Sequence, residues 1–299
     1  GGDLGQFEFR SVVGVATEYG PRGVVFLDSE RAYVDSWMSH TVAEVPYRRT
    51  RDVLKSFIVG SRFDERGIGG IQADIGIEVV SSSLPAELEG GRRMFFRATD
   101  NRMAAHSGGI SCSTCHLDGR NDGITWTFRE GDGVVRLQTP SLVGDVSATA
   151  PVTWTNSVPT VSAEVRITSS GRMGGAGVSI LESEDVAAFI DSTPYPPQVV
   201  ASDDAAALRG KAIFEGSAEC STCHTGELYT DSKMHKMFDL EAVRTPTLLG
   251  VAATAPYGHD GSAASLDALV AMAESRQMGK TNHLNEQDRA DLVAFLKSL

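Results

Sequence analysis

Residues 112–116 read Cys-Ser-Thr-Cys-His, and residues 220–224 read Cys-Ser-Thr-Cys-His again. The two pentapeptides use all four cysteines of the chain. A C-x-x-C pair can exchange disulfides or bind zinc, but each pair here is followed at once by histidine, and neither sits in the βαβ setting of a redox motif. The spacing is the attachment signal for c-type haem: two thiols add to the vinyl groups and the next residue reaches the iron. Cys112, Cys115, Cys220 and Cys223 are therefore expected as thioether anchors of two covalent haems c, with His116 and His224 as proximal iron ligands. Such attachment implies export to an oxidising compartment, a bacterial periplasm.

The segments that must position these groups are repeated as well. LQTPSLVGDVSATAPVTW (137–154) follows the first motif and VRTPTLLGVAATAPYGH (243–259) follows the second. Pro140 lies 24 positions after His116, and Pro246 lies 22 after His224. Each copy then reaches a methionine beside glycine, RMGG at 172–175 and QMGK at 277–280. Each closes on a segment with helical apolar spacing, SEDVAAFI (183–190) and RADLVAFLKSL (289–299). This is duplication of one unit. It predicts a mainly α fold of two tandem cytochrome c-like domains, 86–200 and 201–299, each around its own haem, with STPYPPQ (192–198) as the linker. Residues 1–60 stand outside the repeat. Their short runs SVVGVA, GVVFLD, AYVDSW and TVAEV predict a β segment of about four strands, joined through a connector at 61–85. A lone sheet of that size has unprotected edges, so it packs on the haem domains, pairs with another chain, or is the tail of a larger propeller.

The bulk properties bound the function classes. At 299 residues the chain has the length of roughly two domains. Its 41% apolar and 22% charged residues are ordinary for a globular protein. A net charge of −12 disfavours nucleic acid and anionic membrane, and suits a partner with a basic patch. No apolar run approaches the ~18 residues of a membrane span. The opening GGDLGQFEFR carries neither Met nor a signal peptide, as expected of a processed form or a piece of something longer.

With these motifs in place, residues 84–299 resemble the diheme cytochrome c peroxidase and MauG family. The resemblance rests on GGISCSTCHLDGRNDGITWTF (108–128), TPSL…TAPVTW, CSTCHTGELYTDSKMHKMF (220–238) and TPTLLGVAATAPYGHDG (245–261). Residues 10–50 resemble the last part of a YVTN-type β-propeller, through GPRGVVFLDSERAYVDSW. The family resemblance implies a peroxide-cleaving haem on His116 and a six-coordinate, electron-relaying haem on His224. It implies that Trp154 lies between the haems, where it either assists electron passage or walls a pocket. Glu164, ten residues after Trp154, falls where the family lines the distal pocket with glutamine or glutamate, and is the expected acid–base group. The chain departs from the family's Trp-Asp-Gly-Arg at WTNS (154–157), and Asp132 replaces a histidine that often caps the resting catalytic haem. The missing histidine implies a resting open haem, as in MauG-like proteins.

For the sixth ligand of the second haem, the family alignment puts Ala273 at the methionine position, with Met272 one residue before it. The repeat instead nominates Met278, 54 residues beyond His224, and Met173, 57 beyond His116. Met278, Met272, and another ligand or none stay open, and Met173 also reads as core filler. His259, in the HDG element, is expected at a haem edge. His235, Arg136 and Arg244 are expected near propionates, because an anion buried in a haem pocket needs a cation or a donor. Some family members hold calcium between the domains, though no calcium-loop motif stands out here. The implied function is reduction of hydrogen peroxide with electrons from a small cytochrome c or cupredoxin. The alternatives are a MauG-like oxidase acting on a protein substrate, and an electron carrier or subunit of a larger assembly.

Overall fold

The computed structural model describes residues 21–27, 31–36, 41–46, 77–78, 84–98, 100–105, 109–130, 133–237 and 240–299. The chain divides into two units, 1–84 and 85–299.

In the first unit, β1 (Pro21–Phe26), β2 (Arg31–Ser36), β3 (Thr41–Pro46) and β4 (Ile77–Glu78) form one antiparallel sheet in sequence order. Three of the expected β-rich runs fall on β1, β2 and β3. The run SVVGVA lies outside the described residues. The fourth strand comes from further along, since Val42 pairs with Ile77 and Thr41 with Glu78. The sheet thus draws on residues past 60 that read as connector. Val24, Val25, Phe26 and Leu27 are all exposed in succession. Because strand residues alternate in direction, β1 carries bare apolar side chains on both faces.

The second unit runs twice through one order of elements. First come α1 (Ala86–Phe96), α2 (Cys112–Cys115), the hairpin β5 (Thr125–Glu130) and β6 (Gly133–Gln138), α3 (Val161–Ile167) and α4 (Ile180–Asp191). Then come α5 (Ala205–Glu215), a 3-10 turn at Cys220–Thr222, the hairpin β7 (Met234–Met237) and β8 (Leu240–Arg244), α6 (Leu266–Met272) and α7 (Glu286–Leu296). α4 and α7 stand on the two segments whose apolar spacing read as helical. The two hairpins, between the Cys motif and the Thr-Pro segment, were not legible as strands.

Each half is closed by its first and last helices, α1 on α4 and α5 on α7. The contact depends on glycine. A Cβ on Gly210 would overlap the Asp291 carbonyl and meet Phe295 Cβ at 2.8 Å, and one on Gly91 would overlap the Asp185 carbonyl and meet Phe189 Cβ at 2.9 Å. Four residues on, Phe214 packs on Phe295 with centroids 5.1 Å apart, and Phe95 on Phe189 at 5.5 Å. So Gly-x-x-x-Phe and Asp-x-x-x-Phe recur in both halves, a repeat signal that the sequence reading passed over. Beneath these crossings lie two separate buried apolar clusters, one per half. Gly210→Val should force α5 off α7 and destabilise the holoprotein by about 3 kcal/mol, the upper end of overpacking costs. Chemical denaturation checks this, and an unchanged midpoint would show that the crossing tolerates separation.

The halves meet along a seam of reciprocal hydrogen bonds. Gln138 N–H, at the end of β6, donates to the His259 carbonyl at 2.6 Å, and Arg244 N–H, at the end of β8, donates to the Trp154 carbonyl at 2.8 Å. Asn121 Nδ2 donates to Thr254 O at 3.1 Å, and Ser232 Oγ to the equivalent Thr149 O at 3.1 Å. The same patch of each copy meets its counterpart, the pattern of a two-fold interface within one chain. The linker is held rather than free: Gly144 and Gly250, equivalent in TPSLVG and TPTLLG, have φ of 81° and 69°. A side chain on either glycine would run into Tyr195 or Pro196.

Candidate functional site

The short helix α2 brings Cys112 and Cys115 to one side, three residues apart. Ser111 N–H donates to Thr114 Oγ1 at 2.9 Å and caps the turn. His116 then leaves the helix with its Nδ1 at 3.0 Å from Pro140 O and 3.2 Å from Arg120 O. A proton on Nδ1 shared with these carbonyls makes Nε2 the lone-pair nitrogen, the tautomer a metal ligand needs. His224 repeats this, with Nδ1 3.0 Å from Tyr229 O. Burial lowers the pKa of both imidazoles and favours the neutral form. All four thiols are free, and burial pushes Cys112 up to about 12 and Cys220 to about 11. Paired thiols beside an imidazole with a free Nε2 fit covalent haem, and the Thr-Pro segments emerge as the acceptors that set each imidazole.

In the C-terminal half, Cys220, Cys223 and His224 line a largely apolar cavity. Met278 lines the same cavity. Its loop is pinned there, with Met278 N–H donating to Ala273 O and Lys280 N–H to Ala218 O, both at 2.8 Å. Met272 packs on the apolar core instead. Met237, on β7, is a further lining thioether that the sequence reading did not consider.

In the N-terminal half, Glu164 sits on α3, half-buried. Its Oε1 accepts from Thr168 Oγ1 at 3.1 Å and from the Arg172 guanidinium, whereas its buried Oε2 has no hydrogen-bond partner among the described residues. Arg172 Cζ lies 5.6 Å from the Phe128 ring centroid, within cation–π range. Met173, next in the chain, packs against the core of that half. Asp132 lies outside the described residues.

Trp154 stands at the seam, its Nε1 donating to Gln138 O at 2.8 Å. His259 is buried. Arg244 reaches across the seam to the Thr149 carbonyl, and its buried Nε makes no hydrogen bond among the described residues. Burial lowers its pKa. Arg136 is exposed on β6. His235 has Nε2 2.8 Å from Asp231 Oδ2 and Nδ1 3.9 Å from Cys223 Sγ. That places it beside Cys223. Cys223, Asp231 and His235 together have metal-ligand spacing, but a thioether at Cys223 would occupy that sulfur.

Residues 207–299 match the family model for cytochrome c. The methylamine utilization protein MauG of Methylorubrum extorquens is 27% identical over 283 residues, covering 72% of this chain and 78% of that protein. The cytochrome-c peroxidase IdrP1 of Denitromonas iodatirespirans is 24% identical over 304 residues, covering 70% and 80%. Among solved structures, the hydrazine synthase of Kuenenia stuttgartiensis has a chain similar in fold, with a TM-score of 0.59 at 21% identity, covering 73% of this chain and 89% of that one. The C-terminal residues 207–299 are thus similar to cytochrome c, and over most of its length the chain is similar to a MauG and to a cytochrome-c peroxidase.

Proposed function

We propose that this chain is a periplasmic diheme c-type cytochrome of two tandem haem domains, which reduces hydrogen peroxide on the His116 side with electrons relayed through the His224 side. The observation that carries this reading is asymmetry between two copies of one unit. The His224 cavity includes a thioether, Met278, whereas the N-terminal half presents Glu164 with a buried, unpartnered carboxylate oxygen. When bound, haem supplies an iron that exchanges single electrons and, where a position is open, binds peroxide.

The protein's residues do the rest. Cys112, Cys115, Cys220 and Cys223 anchor; His116 and His224 ligate through Nε2. Met278 closes the second site, since a thioether ligand raises the potential and suits an electron store. Glu164 takes and returns a proton between the peroxide oxygens. Trp154, bonded by its indole to Gln138 and by its carbonyl to Arg244, joins the strands that lead to Pro140 and Pro246. Arg244 is a desolvated cation awaiting an anion, and a propionate supplies one; exposed Arg136 is the weaker candidate. Electrons come from a small donor protein. No helix among the described residues is long and apolar enough to cross a membrane. Similarity to MauG favours a second reading, oxidation of a protein partner by the same site.

Denatured mass should exceed the polypeptide by two haem groups, and low-temperature EPR of the ferric protein should show one high-spin and one low-spin centre. Peroxide should then change only the high-spin signal at first mixing. A gain of one haem, or two low-spin signals that ignore peroxide, would sink the proposal in favour of a carrier.

A further inference from the structure

The wiring of Glu164 raises a question that its identity does not answer: why two donors share one oxygen while the other is buried bare. Thr168 Oγ1 and Arg172 both bond Oε1, and Arg172 Nη1 also donates to Thr168 Oγ1 at 2.6 Å. The three residues are four apart along one helix. In an uninterrupted α-helix, residue 172 would stand about 80° round from residue 164 at 100° per residue. Here α3 runs into a π-helical turn over Thr168–Arg172. Its wider winding turns less per residue and returns Arg172 over Glu164, and such π turns are frequent at functional sites. The guanidinium is fixed from its other side by the Phe128 ring on β5. That hairpin leads directly into Pro140, whose carbonyl holds His116 Nδ1.

We propose that Arg172 is the positioning residue of the N-terminal site: with Thr168 it occupies Oε1 of Glu164, so that Oε2 is the oxygen that exchanges a proton with a ligand on the His116 side. Arg172 touches neither ligand nor haem in this role; it acts through Glu164. The inference rests on the reading of Glu164 as the acid–base group, and the experiment separates the two.

The test is a double-mutant cycle on the haem-loaded protein with Glu164→Gln, Arg172→Gln and the pair combined, plus Arg172→Lys. Two rates are read by stopped flow: peroxide reaction, and cyanide binding to the ferric protein. Hydrogen cyanide must also lose its proton on binding, but no redox chemistry follows. Each single variant should slow both rates at least tenfold with resting EPR spectra unchanged. The double variant should be no slower than Glu164→Gln, and Arg172→Lys should recover part of the loss. If Glu164→Gln slows both rates while Arg172→Gln matches the parent, the inference falls and the acid–base reading stands. If the two losses multiply in the double variant, Arg172 acts on its own and the positioning role is wrong. If Glu164→Gln itself matches the parent, the underlying reading has failed.

Discussion

Glu164→Gln is expected to slow the peroxide reaction by about 10²–10⁴-fold, the usual worth of a positioned proton-transfer group. That corresponds to about 2.7–5.4 kcal/mol of lost transition-state stabilisation. The substitution keeps the size of the side chain and an oxygen that can accept from Thr168 and Arg172, so the helix and its π turn should persist. What is lost is the proton acceptor at Oε2, the oxygen that is buried and without a hydrogen-bond partner among the described residues. Stopped-flow spectra should show the slower phase while the spectra at rest match the parent. A variant with the parent's rate would leave Glu164 as the helix-surface half of an ion pair and no more.

Met278→Leu should convert the second haem from low-spin to high-spin and lower its potential by on the order of 100 mV, since loss of a thioether ligand removes the stabilisation of the reduced state. At about 2.3 kcal per mole of electrons per 100 mV, that shift would impair electron storage severely. Leucine keeps most of the apolar volume, so the cavity should stay closed. Met272→Leu should leave spectrum and potential unchanged, because that side chain packs in the core. The competing outcome is specific: if Met278→Leu stays low-spin and Met237→Leu does not, the ligand is the β7 methionine that shares the cavity.

Much of the site was readable from residue order because covalent haem attachment is a local signal. Two thiols and an imidazole must lie within five consecutive residues, so Cys112 to His116 and Cys220 to His224 declare themselves without a fold. The duplication was equally local, carried by TPSLVG against TPTLLG, and the helices α4 and α7 followed from apolar spacing. The hairpins were harder to read: Thr125–Glu130 alternates over its first five residues, but its partner Gly133–Gln138 reads GVVRLQ, where adjacent valines break the period, and Met234–Met237 is only four residues long. The strand Ile77–Glu78 could not be foreseen, since two residues have no pattern to detect and this strand exists only by pairing with β3.

By itself the sequence carried the two Cys-Ser-Thr-Cys-His motifs, the repeated segments around them and the helical class, because each of these is written in contiguous residues. Only the tertiary structure decided what faces what. It put Met278 into the His224 cavity and Met272 into the core, a choice that spacing could not make because a single residue turns a helical side chain by about 100°. It set His235 against Cys223 and Asp231. It drew the two copies together through Gln138 and Arg244, and it brought Arg172 over Glu164 by way of a π turn that no propensity foretells. These arrangements join residues distant in the chain, and their stability comes from burial and hydrogen bonds that exist only after the helices have packed.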